Sequence, residues 1–127
     1  MSTYLQIHYH IVFGTKYRVP CLVKEKRHPL FQYIHGVLKK NRCHLYRING
    51  VEDHLHMLTH LQQSVALSSL IKDIKLASHA FIKQEKLFLD FAGWQEGYGA
   101  FTHHNREKGR LIEYIRNQET HHRRVSW

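Results

Sequence analysis

Residues 4–13, YLQIHYHIVF, alternate, with Leu5, Ile7, Tyr9, Ile11 and Phe13 on one side and Gln6, His8 and His10 on the other. A period of two is that of a strand with one buried face, so the chain is expected to open with a half-buried strand. GTKYRVP (14–20) reads as a loop carrying Lys16, Tyr17 and Arg18. From Pro29 the period changes. Leu30, Phe31, Ile34, Val37 and Leu38 recur at three- and four-residue steps, an amphipathic helix whose first turn accommodates the proline. CHLYRI (43–48) predicts a second strand, NG (49–50) a tight turn, and DHLHMLTHL (53–61) a third strand forming a hairpin with the second. Ser64 is placed to cap a second helix, whose apolar stripe is Leu67, Leu70, Ile71, Ile74, Ala77 and Phe81. The glycine-punctuated GWQEGYGAFT (93–102) holds a short fourth strand near 98–102, and a polar helix covers roughly 104–122.

The order strand, helix, strand, strand, helix, strand is the split βαβ pattern, followed here by one more helix. The expected class is therefore α+β: a ferredoxin-like antiparallel sheet with helices on one face plus a C-terminal helix. No repeat, low-complexity tract or linker divides the 127 residues, so they predict one domain.

Charge narrows the function. Nineteen Lys and Arg against ten Asp and Glu give a net charge of +9, which points to a polyanionic partner. No apolar run approaches the ~18 residues of a membrane span. MSTYLQIHYH lacks the basic and apolar regions of a secretory signal, so a cytoplasmic location is expected. Cys21 and Cys43 form no CxxC pair and read as packing residues or free thiols.

Alternation in the third strand puts His54, His56, Leu58 and His60 on one face and Leu55, Met57, Thr59 and Leu61 on the core face. Two imidazoles side by side suit a metal ion, but an isolated H-x-H is weak evidence, and a solvated sheet face is the more frequent reading. In the last helix Tyr114 and Gln118 are four apart and share a face, offering a phenol and an amide oxygen. Alternatively, Tyr114 packs with Leu111 and Ile115 while Gln118 sits in water. Glu52 and Asp53 adjoin the histidines, but neighbours on a strand face opposite ways, so no acid–base pair is expected. GxSxG and P-loop motifs are absent. Lys72, Lys75, His79, Lys83 and Lys86 form one basic stripe on the second helix. With TKYR and the tail HHRR, which holds Arg123 and Arg124, they suggest a phosphate-tracking surface, or an ordinary solvated face. Tyr17, Trp94 and Tyr98 could stack on unpaired bases or fill the core.

Four segments in order resemble the single-tyrosine HUH transposases of bacterial insertion sequences, the TnpA-like enzymes, and their relatives that act on repetitive extragenic palindromes. The segments are YHIVFGTKYR (9–18), VEDHLHML (51–58), GWQEGYGAFT (93–102) and YIRNQETHH (114–122). The resemblance runs from about residue 4 to the C-terminus. It implies a single transposase catalytic domain, 1–127, with a palm to about 102 and a tyrosine helix over about 104–122. It implies His54, His56 and Gln118 as metal ligands, Leu55 as the apolar residue between the histidines, and Tyr114 as the nucleophile. The implied cofactor is Mg²⁺ or Mn²⁺, with two imidazoles favouring Mn²⁺. The implied reaction is metal-assisted transesterification of hairpin-bearing single-stranded DNA through a 5′-phosphotyrosine, with no nucleotide cofactor. The implied assembly is a homodimer whose tyrosine helix can complete the partner's site, with NREKGR (105–110) and its Gly109 as a hinge. Lys16, Tyr17, Arg18, Lys72, Lys75, Arg123 and Arg124 are the candidate DNA contacts. The chain departs from the pattern at His60, where an apolar or acidic residue is expected. It also ends at RRVSW, earlier than relatives do, as a truncated or compact variant would. The rival readings are a non-enzymatic nucleic-acid-binding ferredoxin-like module, which would bind without metal, and a metal-dependent hydrolase in which Tyr114 is structural.

Overall fold

The computed structural model describes residues 7–104 and 108–116. Its elements are β1 (Ile7–Gly14), α1 (Arg27–Lys40), β2 (His44–Gly50), β3 (His54–His60), α2 (Leu67–Glu85), β4 (Gly99–His104) and α3 (Lys108–Arg116). Short 3-10 turns at Lys16–Arg18 and Lys24–Lys26 lie between β1 and α1. The sheet runs β2-β3-β1-β4 with every neighbouring pair antiparallel, as the split βαβ order requires. The α+β ferredoxin-like expectation therefore holds.

Alternation along the two central strands builds the core. Ile11 and Phe13 of β1 and Leu55 and Met57 of β3 meet Leu30, Ile34 and Leu38 of α1 and Leu70, Ile71, Ile74 and Ile82 of α2. Burying such side chains yields roughly 1.5–3 kcal/mol each and fixes which face of each strand turns inward. Two lysines hold the segment after α2 against it. Lys83 Nζ donates to the Phe91 carbonyl at 2.6 Å, and Lys75 Nζ donates to the carbonyls of Gln95 at 2.8 Å and Gly97 at 2.5 Å. Ser78, rather than Ala77, is the fully buried member of the α2 face, because its hydroxyl accepts from Trp94 Nε1 at 2.9 Å. Cys21 and Cys43 are buried free thiols. Among the described residues no helix is long and apolar enough to cross a membrane.

Four expectations change. First, β1 is not half-buried: His8 and His10 on its polar side are 1% and 8% exposed. In β3 every residue from His54 to Thr59 is buried. The reason is that α3 packs on β2 and β3 over the face opposite α1 and α2 and sets Tyr114 against His10, while the rings of Tyr46 and His60 pack against His8. Second, Asn49 and Gly50 are not a turn. They pair with His56 and Leu55 as the end of β2, and the connection is residues 51–53. Third, Ser64 does not cap α2. Ala66 occupies that position without a side-chain bond, and the Ser64 hydroxyl instead meets Gln62 Oε1. Fourth, α1 starts at Arg27, two residues before Pro29. Arg27 is buried because its Nε donates to the Leu22 carbonyl at 2.7 Å. Leu5, Gln6 and residues 105–107 of the 105–110 segment lie outside the described residues.

Gly50 is glycine for want of room. A Cβ there would stand 2.6 Å from Leu55 Cδ2 and 2.9 Å from the His54 carbonyl oxygen. Leu55 is fully buried and cannot swing aside. Gly50→Ala is therefore expected to cost about 1–3 kcal/mol, as overpacking does, read as a lowered urea midpoint at unchanged m-value.

Candidate active site

The site is assembled on the second face of the sheet. The two-residue period of β3 projects His54 and His56 together, with ring centroids 5.1 Å apart. They are 3% and 1% exposed. From above, α3 brings the Tyr114 ring to 6.2 Å from His56 and 6.1 Å from His10. These rings, with Arg18, Gln95 and Tyr98, line a pocket of about 650 Å³.

Each imidazole of the pair is held through Nδ1. His54 Nδ1 lies 2.7 Å from Asp53 Oδ1, and His56 Nδ1 lies 2.9 Å from His10 Nε2. A carboxylate can only accept, so His54 carries its proton on Nδ1, and Nε2 is the nitrogen through which it would bind an ion. Asp53 is in turn fixed by Arg18 Nε at 3.2 Å. Burial pushes His54 below the ordinary imidazole value, against the opposing pull of Asp53. Burial alone would raise Asp53, but the hydrogen bonds from His54 and Arg18 outweigh it and hold the carboxyl below its ordinary value. The contact is thus a neutral imidazole donating to a carboxylate rather than an ion pair. This reverses the expectation that Asp53 faces away from the histidines. Asp53 precedes the strand, so strand alternation does not govern its side chain.

The loop after β1 is bent to deliver Arg18. Tyr17 and Arg18 both adopt left-handed backbone, with φ of 59° and 55°. That conformation costs a non-glycine residue of order 1 kcal/mol and persists where surrounding contacts impose it. It leaves Tyr17 83% exposed, with Lys16 Nζ 5.5 Å from its ring centroid.

Asn49 ties the tyrosine helix to the sheet. Its Nδ2 donates to the carbonyls of Ile115 at 3.0 Å and Arg116 at 3.1 Å. Ile115, fully buried, anchors the same turn and leaves Tyr114 half-buried over the pocket. Tyr114 therefore faces the histidine pair of its own chain.

The donor chemistry fits two ligands of a divalent cation: two imidazoles, each fixed at Nδ1 by a partner, as metal-binding histidines usually are. Among the described residues no group of three His, Cys, Asp or Glu could hold a metal ion. Gln118, the third expected donor, lies outside the described residues, as do Arg123 and Arg124. Of the other expected contacts, Arg18 lines the pocket, and Lys16 and Tyr17 are its exposed neighbours in the same turn. Lys72 is exposed on α2, on the far side of the sheet. Lys75 is half-buried with its ammonium on backbone carbonyls, and burial pushes it below its ordinary value. His60 is not in the pocket. It lies at the other end of β3, its ring 5.9 Å from that of His8 and its Nδ1 3.4 Å from the Ile7 carbonyl.

His10, Asp53, Asn49 and Gln95 join the site without having been singled out for it. Of these only Asp53 left a trace in sequence, as an acid next to the first histidine. His10 and Asn49 reach the site through strand register, and Gln95 through the backbone bond from its N–H to the Gly14 carbonyl at 2.8 Å.

Comparison with known proteins identifies the family of the chain. The chain belongs to the IS200-like transposase family, whose model matches residues 3–118. It is similar to the ISDra2 transposase TnpA of Deinococcus radiodurans, 25% identical over 89% of this chain and 84% of that protein. The transposase of insertion sequence IS200 from Salmonella typhimurium is also 25% identical, over 87% of this chain and 75% of that one. A crystal structure described as a transposase from D. radiodurans R1 superposes with a TM-score of 0.65 at 25% identity, covering 93% of this chain and 95% of that one. The fold also matches a REP-associated tyrosine transposase bound to a REP hairpin, with a TM-score of 0.69 at 17% identity over 96% of this chain and 74% of that one. The chain is thus a DNA-binding enzyme of transposition, of a family that cleaves and joins DNA.

Asn49→Ala removes both bonds to α3, each worth about 0.5–1.5 kcal/mol. Amide exchange in α3 is expected to accelerate while that of β1 and β3 stays unchanged. His54, whose folded-state value is lowered, contributes stability that is complete above its ordinary value of 6.5 and is lost as pH falls through the lowered one. Urea midpoints should therefore decline as pH falls below about 6.5, and those of His54→Gln should decline less.

Proposed function

We propose that the chain cleaves and rejoins hairpin-bearing single-stranded DNA by transesterification, with Tyr114 as nucleophile. The observation that carries this reading is the meeting of Tyr114 with two Nδ1-anchored imidazoles at one pocket. The phenol oxygen attacks the scissile phosphorus, the P–O3′ bond breaks, and the 3′-oxygen leaves to become a free hydroxyl. The 5′-phosphotyrosine keeps the energy of the phosphodiester, so the strand can be rejoined without ATP. Phenols are weak nucleophiles until their proton is removed, so attack requires an acceptor beside the ring. His54, His56 and Gln118 would hold a divalent cation, Mg²⁺ or Mn²⁺, which supplies charge stabilisation to the phosphate and the leaving oxygen. His54 and His56 contribute neutral nitrogen donors, and Asp53 and His10 keep those rings from rotating. Arg18 adds fixed positive charge near the entering phosphodiester, and the net charge of +9 draws the strand in. Tyr17, exposed beside Lys16, is placed to stack on an unpaired base.

The hairpin substrate is supported by the fold likeness to the hairpin-bound REP-associated transposase. The native assembly is proposed as a homodimer. In it, exchange of α3 between subunits requires release of the Asn49 bonds and re-formation on the partner.

A denaturing gel of the protein incubated with hairpin-bearing single-stranded DNA and Mn²⁺ is expected to show a covalent adduct that chelator abolishes. Tyr114→Phe should form none. An equal adduct yield from that variant would remove Tyr114 as nucleophile, and cleavage without any adduct would favour a hydrolase.

A further inference from the structure

We infer that His10 is a positioning residue for this site: its Nε2 accepts the Nδ1 proton of His56 and fixes His56 in the tautomer whose Nε2 can bind a cation. The inference rests on the reading of His56 as a metal ligand. The two rings lie 5.0 Å apart and tilted by 36°, with His10 Nε2 2.9 Å from His56 Nδ1. This bond admits two proton placements. If His10 Nε2 donated, His56 would have to carry its own proton on Nε2, the nitrogen that faces a ligand role, and metal binding would first require a proton shift. If His10 Nε2 accepts, His56 is already in the binding form. His10 then does for His56 what Asp53 does for His54.

Register makes this pairing specific. Val12 lies opposite His56 and His10 opposite Leu58, so His10 is the diagonal neighbour of His56 on the same face. A slip of one residue would turn His10 away. Burial makes the bond consequential. The rings of Tyr114 and Phe101, each 6.1 Å from that of His10, help to leave His10 only 8% exposed. Bulk water therefore does not compete as the acceptor. The choice of imidazole also has an electrostatic effect. A second carboxylate beside the pair would orient His56 equally well, but it would add negative charge where a phosphodiester must enter. A neutral acceptor orients the ring without that repulsion.

The test combines tautomer and affinity. In metal-free protein at about pH 8.5, well above the ordinary imidazole value, ¹⁵N spectra are expected to show His56 protonated on Nδ1 and unprotonated on Nε2. His10→Phe should shift His56 towards the Nε2-protonated form and weaken Mn²⁺ binding in calorimetry by roughly 10–100-fold. His10→Gln, which returns an acceptor near the Nε2 position, should recover most of the affinity. A wild-type His56 protonated on Nε2 overturns the inference even if His10→Phe does not fold. So does a folded His10→Phe with unchanged tautomer and unchanged Mn²⁺ affinity. The reading beneath it fails separately, if His56→Ala binds Mn²⁺ as wild type does.

Discussion

A buried imidazole must find partners for both ring nitrogens, because an unsatisfied polar group in the interior costs of order 1–3 kcal/mol. That constraint shapes this molecule. Its two central strands carry histidines on the face away from the main core, and α3 closes that face over them. Once covered, His54 and His56 are committed. Asp53 and His10 take their Nδ1 atoms, which leaves the Nε2 lone pair of each ring as the one available to a cation. Arg18, Asn49 and Gly50 then follow as requirements of the same arrangement. Arg18 fixes the carboxylate, Asn49 holds the covering helix, and Gly50 keeps the strand end close enough for Leu55 and His54 to pack.

Periodicity made the element order and the core face legible, because alternation and helical stripes are direct consequences of burying one side. Partnership was less legible. NG is a strong turn pair in isolation, yet here Asn49 and Gly50 finish a strand. The asparagine spends its amide on α3, and the glycine avoids a clash. Both reasons are tertiary and leave no local mark. Ser64 fails as a cap for a local reason instead: its hydroxyl donates to Gln62, two residues earlier. The polar side of β1 read as solvent-facing because its cover, Tyr114 over His10 and the rings of Tyr46 and His60 against His8, comes from distant parts of the sequence. Tyr114 and the H-x-H pair were assigned through family resemblance. Their spacing alone favoured packing and solvation over a metal site, and no spacing rule could have paired His10 with His56.

The basic stripe on α2 shows why charge patterning underdetermines function. Lys75 and Lys83 lie at phosphate-tracking intervals, yet their ammonium groups hold the segment from Phe91 to Gly97 through its carbonyls. That segment carries Gln95 to the pocket and leads directly into Tyr98, which lines it too. These lysines therefore act on the site by shaping its wall.

Strain at Tyr17 and Arg18 completes the argument. Two successive left-handed residues without glycine are costly, and a loop free to relax would abandon them. Here the turn is held at both ends. Thr15 N–H donates to the Asp53 carbonyl at 2.9 Å, and the Thr15 hydroxyl donates to the Val19 carbonyl at 2.8 Å. Arg18 then reaches Asp53 from within the turn. The same backbone that fixes the carboxylate of the first histidine also throws Tyr17 outwards. Orientation of His54 and display of an exposed aromatic ring beside the pocket are thus two results of one strained turn, and neither can be altered without disturbing the other.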